Sequence, residues 1–167
     1  MTIKFNFSLI AEDTQARAGL LTTAHGDIET PIFMPVGTLG TVKAMHLKDV
    51  LELGSQIILG NTYHLYLRPG QEVIKKFGGL RSFINWEKPI LTDSGGFQIM
   101  SLSKLTKVTD KGVYFQSHLD GKKIILTPEI STQFQHVLGS TITMQFDECI
   151  KYPALRTNAE HSTNLSI

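Results

Sequence analysis

The sequence has very little cysteine and very little net charge. Its 167 residues include one cysteine, Cys149. A single cysteine cannot form a disulfide within the chain, and it excludes a zinc site built from several cysteines of this chain. The net charge is +1 with the six histidines neutral. This balance does not suggest a dedicated nucleic-acid-binding domain, although it allows RNA binding through residues that the fold brings together.

Long apolar runs are also missing. No run approaches the roughly 20 residues that a membrane-spanning helix needs. Residues 1–7 alternate apolar and polar side chains, so they lack the apolar core of a secretory signal peptide. We therefore expect a cytoplasmic protein without a membrane partner. The length and the 41% apolar content fit one packed domain.

The most informative stretch is Pro89–Gln98, with the sequence PILTDSGGFQ. An apolar run ends at a carboxylate, which is followed by a hydroxyl, two glycines and an aromatic ring. Glycines let the backbone approach a ligand closely, and a flat aromatic side chain can cover a planar ring. An acid at the end of a buried strand is costly unless it is paired or used. The stretch is either a strand that delivers Asp93 to a pocket or a strand followed by an ordinary Asp-Ser-Gly turn.

The amino-terminal 30 residues predict a small antiparallel sheet. Ile3, Phe5 and Phe7 alternate with polar residues, which indicates a strand with one buried face. A second strand is predicted from Ala16 to Thr23, and a turn follows at residues 25–27.

Strand-like and helix-like segments then alternate along the chain. Strands are predicted at 31–37, which should be buried on both faces, and at 57–62, 90–92 and 141–146. Helices are predicted at 41–53, 71–77 and 128–138, the last capped by Thr127 with Pro128 at its first position. A hairpin around Asp120-Gly121 interrupts the series between 103 and 127. This order predicts a parallel sheet with crossover helices.

Polar side chains collect directly after the predicted strands. They are Asn61, Asp93, Ser94 and Asp147. Ligands of α/β folds bind at the carboxyl ends of the parallel strands, so we expect these residues to share one polar rim. The alternative is that the acids cap the loops or helices that follow.

Several long motifs in order resemble one enzyme family. The matching segments are Thr30–Thr38, Ile57–Leu65, Leu67–Gly70, Leu91–Gln98, Ser117–Gly121 and Phe146–Cys149. These segments resemble the tRNA-guanine transglycosylases, which place the queuosine base precursor into tRNA, and the resemblance covers nearly all of the chain. Phe146–Cys149 is most similar to the bacterial branch, which uses 7-aminomethyl-7-deazaguanine as the incoming base.

The resemblance implies a fold and a mechanism. The fold would be a (β/α)8 TIM barrel preceded by an antiparallel sheet. An aspartate would displace guanine at the wobble position by forming a covalent link to the ribose, and the incoming base would then displace that aspartate. Asp93 resembles the general acid/base that handles the purine proton. Ser94, Gly95, Gly96 and Phe97 would line the base pocket.

Three further residues gain an interpretation from the resemblance. Asp147 is similar to the residue that accepts hydrogen bonds from the purine N1–H and exocyclic amine. A carboxylate suits this edge because it is planar and only accepts. Asn61 lies in a motif that lines the pocket. Cys149 is either a small buried residue beside the pocket or a residue with a chemical role.

The sequence is shorter than the fold of the family requires. A complete TIM barrel usually needs about 250 residues, and this sequence supplies about half of the expected strands. No motif here corresponds to the nucleophilic aspartate or to the zinc site of three cysteines and one histidine. We therefore expect one partial domain, with the antiparallel sheet at 1–30 and the first half of the barrel at 31–167. We expect no cofactor in this chain and zinc in the complete enzyme.

Two functions remain open from the sequence. The chain could be part of a working transglycosylase that binds tRNA and a purine or 7-deazapurine base. Such an enzyme would be a homodimer when complete, or it would need a separate carboxyl-terminal half. The chain could instead be a non-catalytic remnant, inactive alone because the nucleophile and the zinc site are missing.

Overall fold

A computed structural model describes residues 5–102 and 106–167. The predicted amino-terminal antiparallel sheet is present, with the strand order β1-β2-β3. Its strands are β1 (Asn6–Asp13), β2 (Ala16–Thr23) and β3 (Gly26–Thr30). Ile3, which we assigned to the first strand, lies outside the described residues.

The predicted burial of one face of β1 is wrong. Every residue of β1 is exposed, and the Phe7 side chain is 53% exposed. Among the strands of residues 5–102 and 106–167, β1 pairs with β2 alone and is an edge strand. The Phe7 ring lies over Gly19 of β2, where an added Cβ would come within 2.4 Å of the ring. The alternation of apolar and polar residues along β1 therefore places the apolar side chains on one face, but that face is not buried in this chain.

The predicted parallel sheet with crossover helices is confirmed. Four strands pair in parallel in the order β10-β6-β5-β4. They are β4 (Val36–Gly37), β5 (Ile58–Gly60), β6 (Ile90–Thr92) and β10 (Ile142–Thr143). The fold is therefore of the α/β class, and among the described strands β4 and β10 form the two edges of this sheet.

The prediction that residues 31–37 form a strand buried on both faces is wrong. Only Val36 and Gly37 pair with β5, and Phe33 is 80% exposed. Pro31 and Pro35 have no N–H to donate to a ladder, which shortens the strand. As an edge strand, β4 has a neighbour on one side only.

Seven helices connect or follow the strands within the described ranges. They are α1 (Leu47–Glu52), α2 (Thr62–Leu67), α3 (Gln71–Lys76), α4 (Leu80–Ile84), α5 (Gly96–Leu102), α6 (Pro128–Leu138) and α7 (Arg156–Ser166). Helix α1 is shorter than predicted because Ala44 has φ +62°, a left-handed conformation that cannot continue a right-handed helix. No helix in these ranges is both long and apolar enough to cross a bilayer.

Helix α6 has the predicted ends. The Thr127 hydroxyl accepts a hydrogen bond from the Ile130 N–H at 3.2 Å, and Pro128 opens the helix. Gly139 ends it with φ +68°. The segment between α5 and α6 forms an antiparallel sheet of β7 (Lys107–Thr109), β8 (Gly112–Gln116) and β9 (Lys123–Leu126). The predicted hairpin is β8–β9, while residues 103–105 of its predicted range lie outside the described residues.

Two apolar clusters hold these elements together. The larger cluster packs α1–α4 and α6 against the parallel sheet, and its buried members include Trp86, Ile90 and Phe134. The smaller cluster packs the hairpin sheet against α5 and contains Tyr63 and Phe115. Because Tyr63 lies two residues after Asn61, which follows the end of β5, the smaller cluster reaches the polar rim.

Candidate active site

Asp93 is held by the residues that follow the neighbouring strand. The Asn61 Nδ2 donates to Asp93 Oδ2 at 2.5 Å, and the Thr62 N–H donates to Asp93 Oδ1 at 2.7 Å. The Thr62 hydroxyl also donates to the Asp93 carbonyl oxygen at 2.5 Å. β5 and β6 pair at Gly60 and Thr92, so the residues after each strand meet. The Asp93 carboxylate is therefore fixed in orientation by donors on both of its oxygens.

Ser94 joins the end of β6 to Asp147. The Ser94 hydroxyl donates to Asp147 Oδ1 at 2.9 Å and accepts from the Gly96 N–H at 3.2 Å. The Cys149 thiol donates to Asp147 Oδ2 at 3.3 Å. Both oxygens of this second carboxylate thus receive a protein donor, and each keeps lone-pair capacity for one more.

The two glycines after Ser94 are required by close backbone contacts. Gly95 has φ +86°, and an added Cβ would lie 3.2 Å from the Tyr63 nitrogen. At Gly96 an added Cβ would lie 2.5 Å from the Asp147 carbonyl oxygen. The glycines therefore let this loop pass between the start of α2 and the Asp147 segment.

A cleft of about 560 Å³ opens at this rim. Five of the predicted site residues line it, namely Asp93, Ser94, Gly95, Phe97 and Asp147. Its other lining residues are Gln98, Thr143, Met144 and Gln145. The Phe97 ring is 58% exposed, so its face is available to a ligand. The cleft offers two carboxylates and an aromatic face, which suits a planar base with several N–H donors.

The other two predicted residues lie beside the cleft. Asn61 contacts it through Asp93 only, and Gly96 lies against the main chain of Asp147. On the far side of Asp147 is a second cavity of about 340 Å³, to which Ile99, Val113 and Phe146 contribute apolar surface. Asp147 therefore lines both the cleft and this second cavity.

A Tyr–His cluster lies next to Asp93, and sequence reasoning did not single it out. The Tyr63 hydroxyl and His118 Nδ1 are 2.8 Å apart, and the two rings are stacked with centroids 5.7 Å apart. Burial, and then the proximity of His118, lowers the pKa of His64, while Asp93 opposes part of this shift. This environment therefore favours the neutral imidazole of His64. Both histidines stand within the motifs that carried the resemblance, which is the signal that could have found them.

The Cys149 thiol is protonated at neutral pH. Burial, and then the adjacent Asp147 carboxylate, together raise its pKa to about 11. A thiol needs its thiolate form to act as a nucleophile or metal ligand. The environment therefore favours the structural interpretation of Cys149 as a small hydrogen-bond donor beside the pocket.

We expect Cys149 to react slowly with iodoacetamide at pH 8 in the folded chain. Because only the thiolate reacts, the rate should keep rising toward about pH 11, where the thiol ionises. The measurement is the pH dependence of alkylation by mass spectrometry, with the same chain unfolded in urea as the control. Equal rates at pH 8 in the folded and unfolded chain would contradict the burial of the thiol.

Metal ligands are not assembled in the described part of the chain. Residues 5–102 and 106–167 contain no group of three or more histidine, cysteine, aspartate or glutamate side chains that could hold a metal ion. The zinc that the resemblance implies therefore has no ligand set in these ranges.

Sequence reasoning also missed the residues that support the site from behind. Thr62 holds the Asp93 carboxylate through its backbone N–H, and a backbone donor leaves no signal in the sequence. Ser131 and Gln135 lie on the buried face of α6, and the Ser131 hydroxyl donates to the Ser94 carbonyl oxygen at 2.8 Å. Two polar residues spaced i, i+4 among the buried apolar residues of one helix are a signal that could have identified them.

The chain is similar to proteins of one family over nearly its whole length. The sequence profile of the Queuine tRNA-ribosyltransferase family matches residues 12–167. The queuine tRNA-ribosyltransferases of Rickettsia bellii (strain RML369-C), Rickettsia felis and Rickettsia canadensis are 61%, 60% and 59% identical to it over 163 residues. The match covers 98% of this chain and 45% of each relative, so the chain spans less than half the length of the curated relatives it matches. The chain belongs to the queuine tRNA-ribosyltransferase family.

Proposed function

We propose that this chain is the amino-terminal part of a tRNA-guanine transglycosylase. The complete enzyme would exchange guanine at the wobble position of tRNA for 7-aminomethyl-7-deazaguanine. The observation that carries the proposal is the pair of carboxylates, Asp93 and Asp147, on one cleft with the Phe97 ring. Family membership supports the same activity.

Asp147 is proposed to read the purine edge. Its Oδ1 and Oδ2 already accept from Ser94 and Cys149, which fixes the plane of the carboxylate. The remaining lone pairs can accept from the purine N1–H and exocyclic amine together. An adenine ring carries no N1–H, so this edge would select guanine and 7-deazaguanines.

Asp93 is proposed to move the purine proton. A carboxylate nucleophile from the rest of the protein would attack ribose C1′ as the glycosidic bond breaks, and the departing guanine would take a proton from Asp93. The incoming base would return a proton to Asp93 as it displaces the carboxylate from C1′. Asn61 and Thr62 would hold Asp93 while it changes protonation state.

The proposed architecture of the complete protein is a TIM barrel. The four parallel strands with polar residues after their carboxyl ends agree with half of such a barrel. The remaining strands would continue the sheet beyond the edges β4 and β10. Zinc would be held outside this chain, whose sequence has one cysteine. The proposed partners are tRNA and the base, together with a second copy or a carboxyl-terminal half, in the cytoplasm.

The proposal is tested in a completed chimera. This is the Rickettsia bellii relative in which the chain replaces the matched 163-residue stretch. Incorporation of labelled guanine into unmodified tRNA is the activity. A chimera that folds and binds tRNA but incorporates no label would favour the alternative, a non-catalytic remnant.

Asp147→Asn in the completed chimera should weaken base binding by about 1–3 kcal/mol, the cost of an unsatisfied buried polar group. The asparagine NH₂ places a donor against a donor of the purine. The measurement is the KM for labelled guanine at saturating tRNA. Glu148→Gln removes the same charge one residue later and should leave that KM unchanged. An unaltered KM in Asp147→Asn would remove Asp147 from base recognition.

A further inference from the structure

The side-chain amide of Gln135 takes the place of a backbone hydrogen-bonding partner beside the parallel sheet. β6 and β10 pair up to Thr92 and Thr143, after which β6 continues into Asp93. The next residue of the β10 segment, Met144, has no strand partner there. Its N–H donates to Gln135 Oε1 at 2.9 Å, and its carbonyl oxygen accepts from Gln135 Nε2 at 2.9 Å. The side-chain amide thus reproduces the two bonds that a neighbouring strand would make.

The same amide is tied to the strand and loop that carry Asp93 and Ser94. The Thr92 hydroxyl donates to Gln135 Oε1 at 2.9 Å. Gln135 Nε2 also lies 3.3 Å from the Ser131 hydroxyl, which donates to the Ser94 carbonyl oxygen at 2.8 Å. One pair of helix residues therefore connects the Ser94 loop with the segment that leads to Asp147.

The bridge is buried among apolar neighbours. Gln135 and Ser131 are both 0% exposed, and Phe134 and Leu138 of α6 are buried beside them. Buried amides are costly unless all of their groups are bonded. Thr92, one partner of the bridge, is itself buried, whereas the other groups that it holds belong to Ser94 and Met144, which line the cleft. The bridge therefore reaches the cleft at two residues, one after β6 and one after β10.

We infer that Gln135 and Ser131 are positioning residues for base recognition. They set the separation between Ser94 and the Asp147 segment, and the Ser94 hydroxyl then orients the Asp147 carboxylate. Neither side chain touches the base, so they act through Ser94 and Met144. The inference rests on the proposed function, because Asp147 is the proposed acceptor for the purine edge and its position is attributed here to residues of α6.

The test is Gln135→Met in the completed chimera, which keeps the side-chain length and removes the amide. Gln133→Met is the matched control, because Gln133 lies on the exposed face of the same helix. The KM for guanine should rise about tenfold or more, as expected for lost alignment of a charged acceptor. The KM for tRNA and the rate at saturating base should stay within about twofold of the unsubstituted chimera. Ser131→Ala should shift the base KM in the same direction by less.

Amide hydrogen exchange supplies a measurement that is independent of catalysis. The Met144 N–H should exchange at least about tenfold faster in Gln135→Met, because its acceptor is lost. Its exchange rate should be unchanged in Gln133→Met. An unchanged base KM in a folded, active Gln135→Met chimera overturns the inference. Unchanged exchange at Met144 also overturns it. If the unsubstituted chimera folds but has no base-exchange activity, faster exchange at Met144 in Gln135→Met still supports the bridge, while that inactivity counts against the proposed function.

Discussion

Asp93→Asn in the completed chimera should lower the single-turnover rate of base exchange by about a hundredfold or more, while tRNA binding survives. The substitution keeps the shape of the side chain and removes its ability to carry the purine proton. One amide oxygen can still accept from Asn61 or Thr62, so the loop is retained. The measurements are single-turnover incorporation of labelled guanine and a gel shift with unmodified tRNA.

The matched control for Asp93 is Asp49→Asn, which removes an exposed carboxylate in the first turn of α1. It should leave both measurements unchanged. Loss of tRNA binding in Asp93→Asn would assign Asp93 a structural role. A rate equal to that of the unsubstituted chimera would exclude it as the acid/base.

The second large effect concerns the chain on its own, which we expect to have no transglycosylase activity. The proposed chemistry needs one carboxylate at ribose C1′ and another at the purine. Asp93 cannot serve both purposes, because one carboxylate cannot attack and transfer a proton at the same moment. Asp147 is engaged with Ser94 and Cys149 and is assigned to the purine edge.

The isolated chain should also associate with itself or bind a hydrophobic dye. Its open sheet edges, β4 and β10, can pair with other strands. Large apolar side chains are exposed on the amino-terminal sheet and beside β4, including Phe5, Leu9, Phe33 and Val36. Gel filtration and dye fluorescence of the purified chain test this expectation.

The activity experiment compares two mixtures. The chain is incubated with unmodified tRNA and labelled guanine, with and without the separately made remainder of the Rickettsia bellii relative. Label above a mock preparation from the chain alone would require a nucleophile among the residues present here. Label that appears only after mixing would identify the chain as one half of a working enzyme.

Features set by local chemistry were predictable from the sequence. Helix α6 has its predicted bounds because a threonine cap, a proline and a glycine act over a few residues. Strand β6 matches its prediction for the same reason, since Pro89 and Asp93 bracket the three residues Ile90–Thr92. The rim residues Asp93, Ser94 and Asp147 meet as expected because parallel neighbours end on one side of a sheet.

Features set by distant partners were not predictable. The apolar pattern of β1 and of residues 31–37 indicates burial, yet Phe7 and Phe33 are exposed in this chain. The predicted strand at 141–146 is only Ile142–Thr143, because Gln135 of α6 takes the place of a strand partner. A side chain that imitates backbone pairing leaves no periodic pattern. The catalytic and base-reading roles of Asp93 and Asp147 remain predictions.

The close contact at Gly96 also makes the site sensitive to point mutations in the codon of this residue. Every glycine codon begins with two guanines, so any change at either of those nucleotides replaces the residue. Each replacement would place a Cβ only 2.5 Å from the Asp147 carbonyl oxygen, and this clash would push the Ser94 loop and the Asp147 segment apart. In a gene no longer under selection for base exchange, such a substitution would be tolerated, and it would disrupt the base pocket.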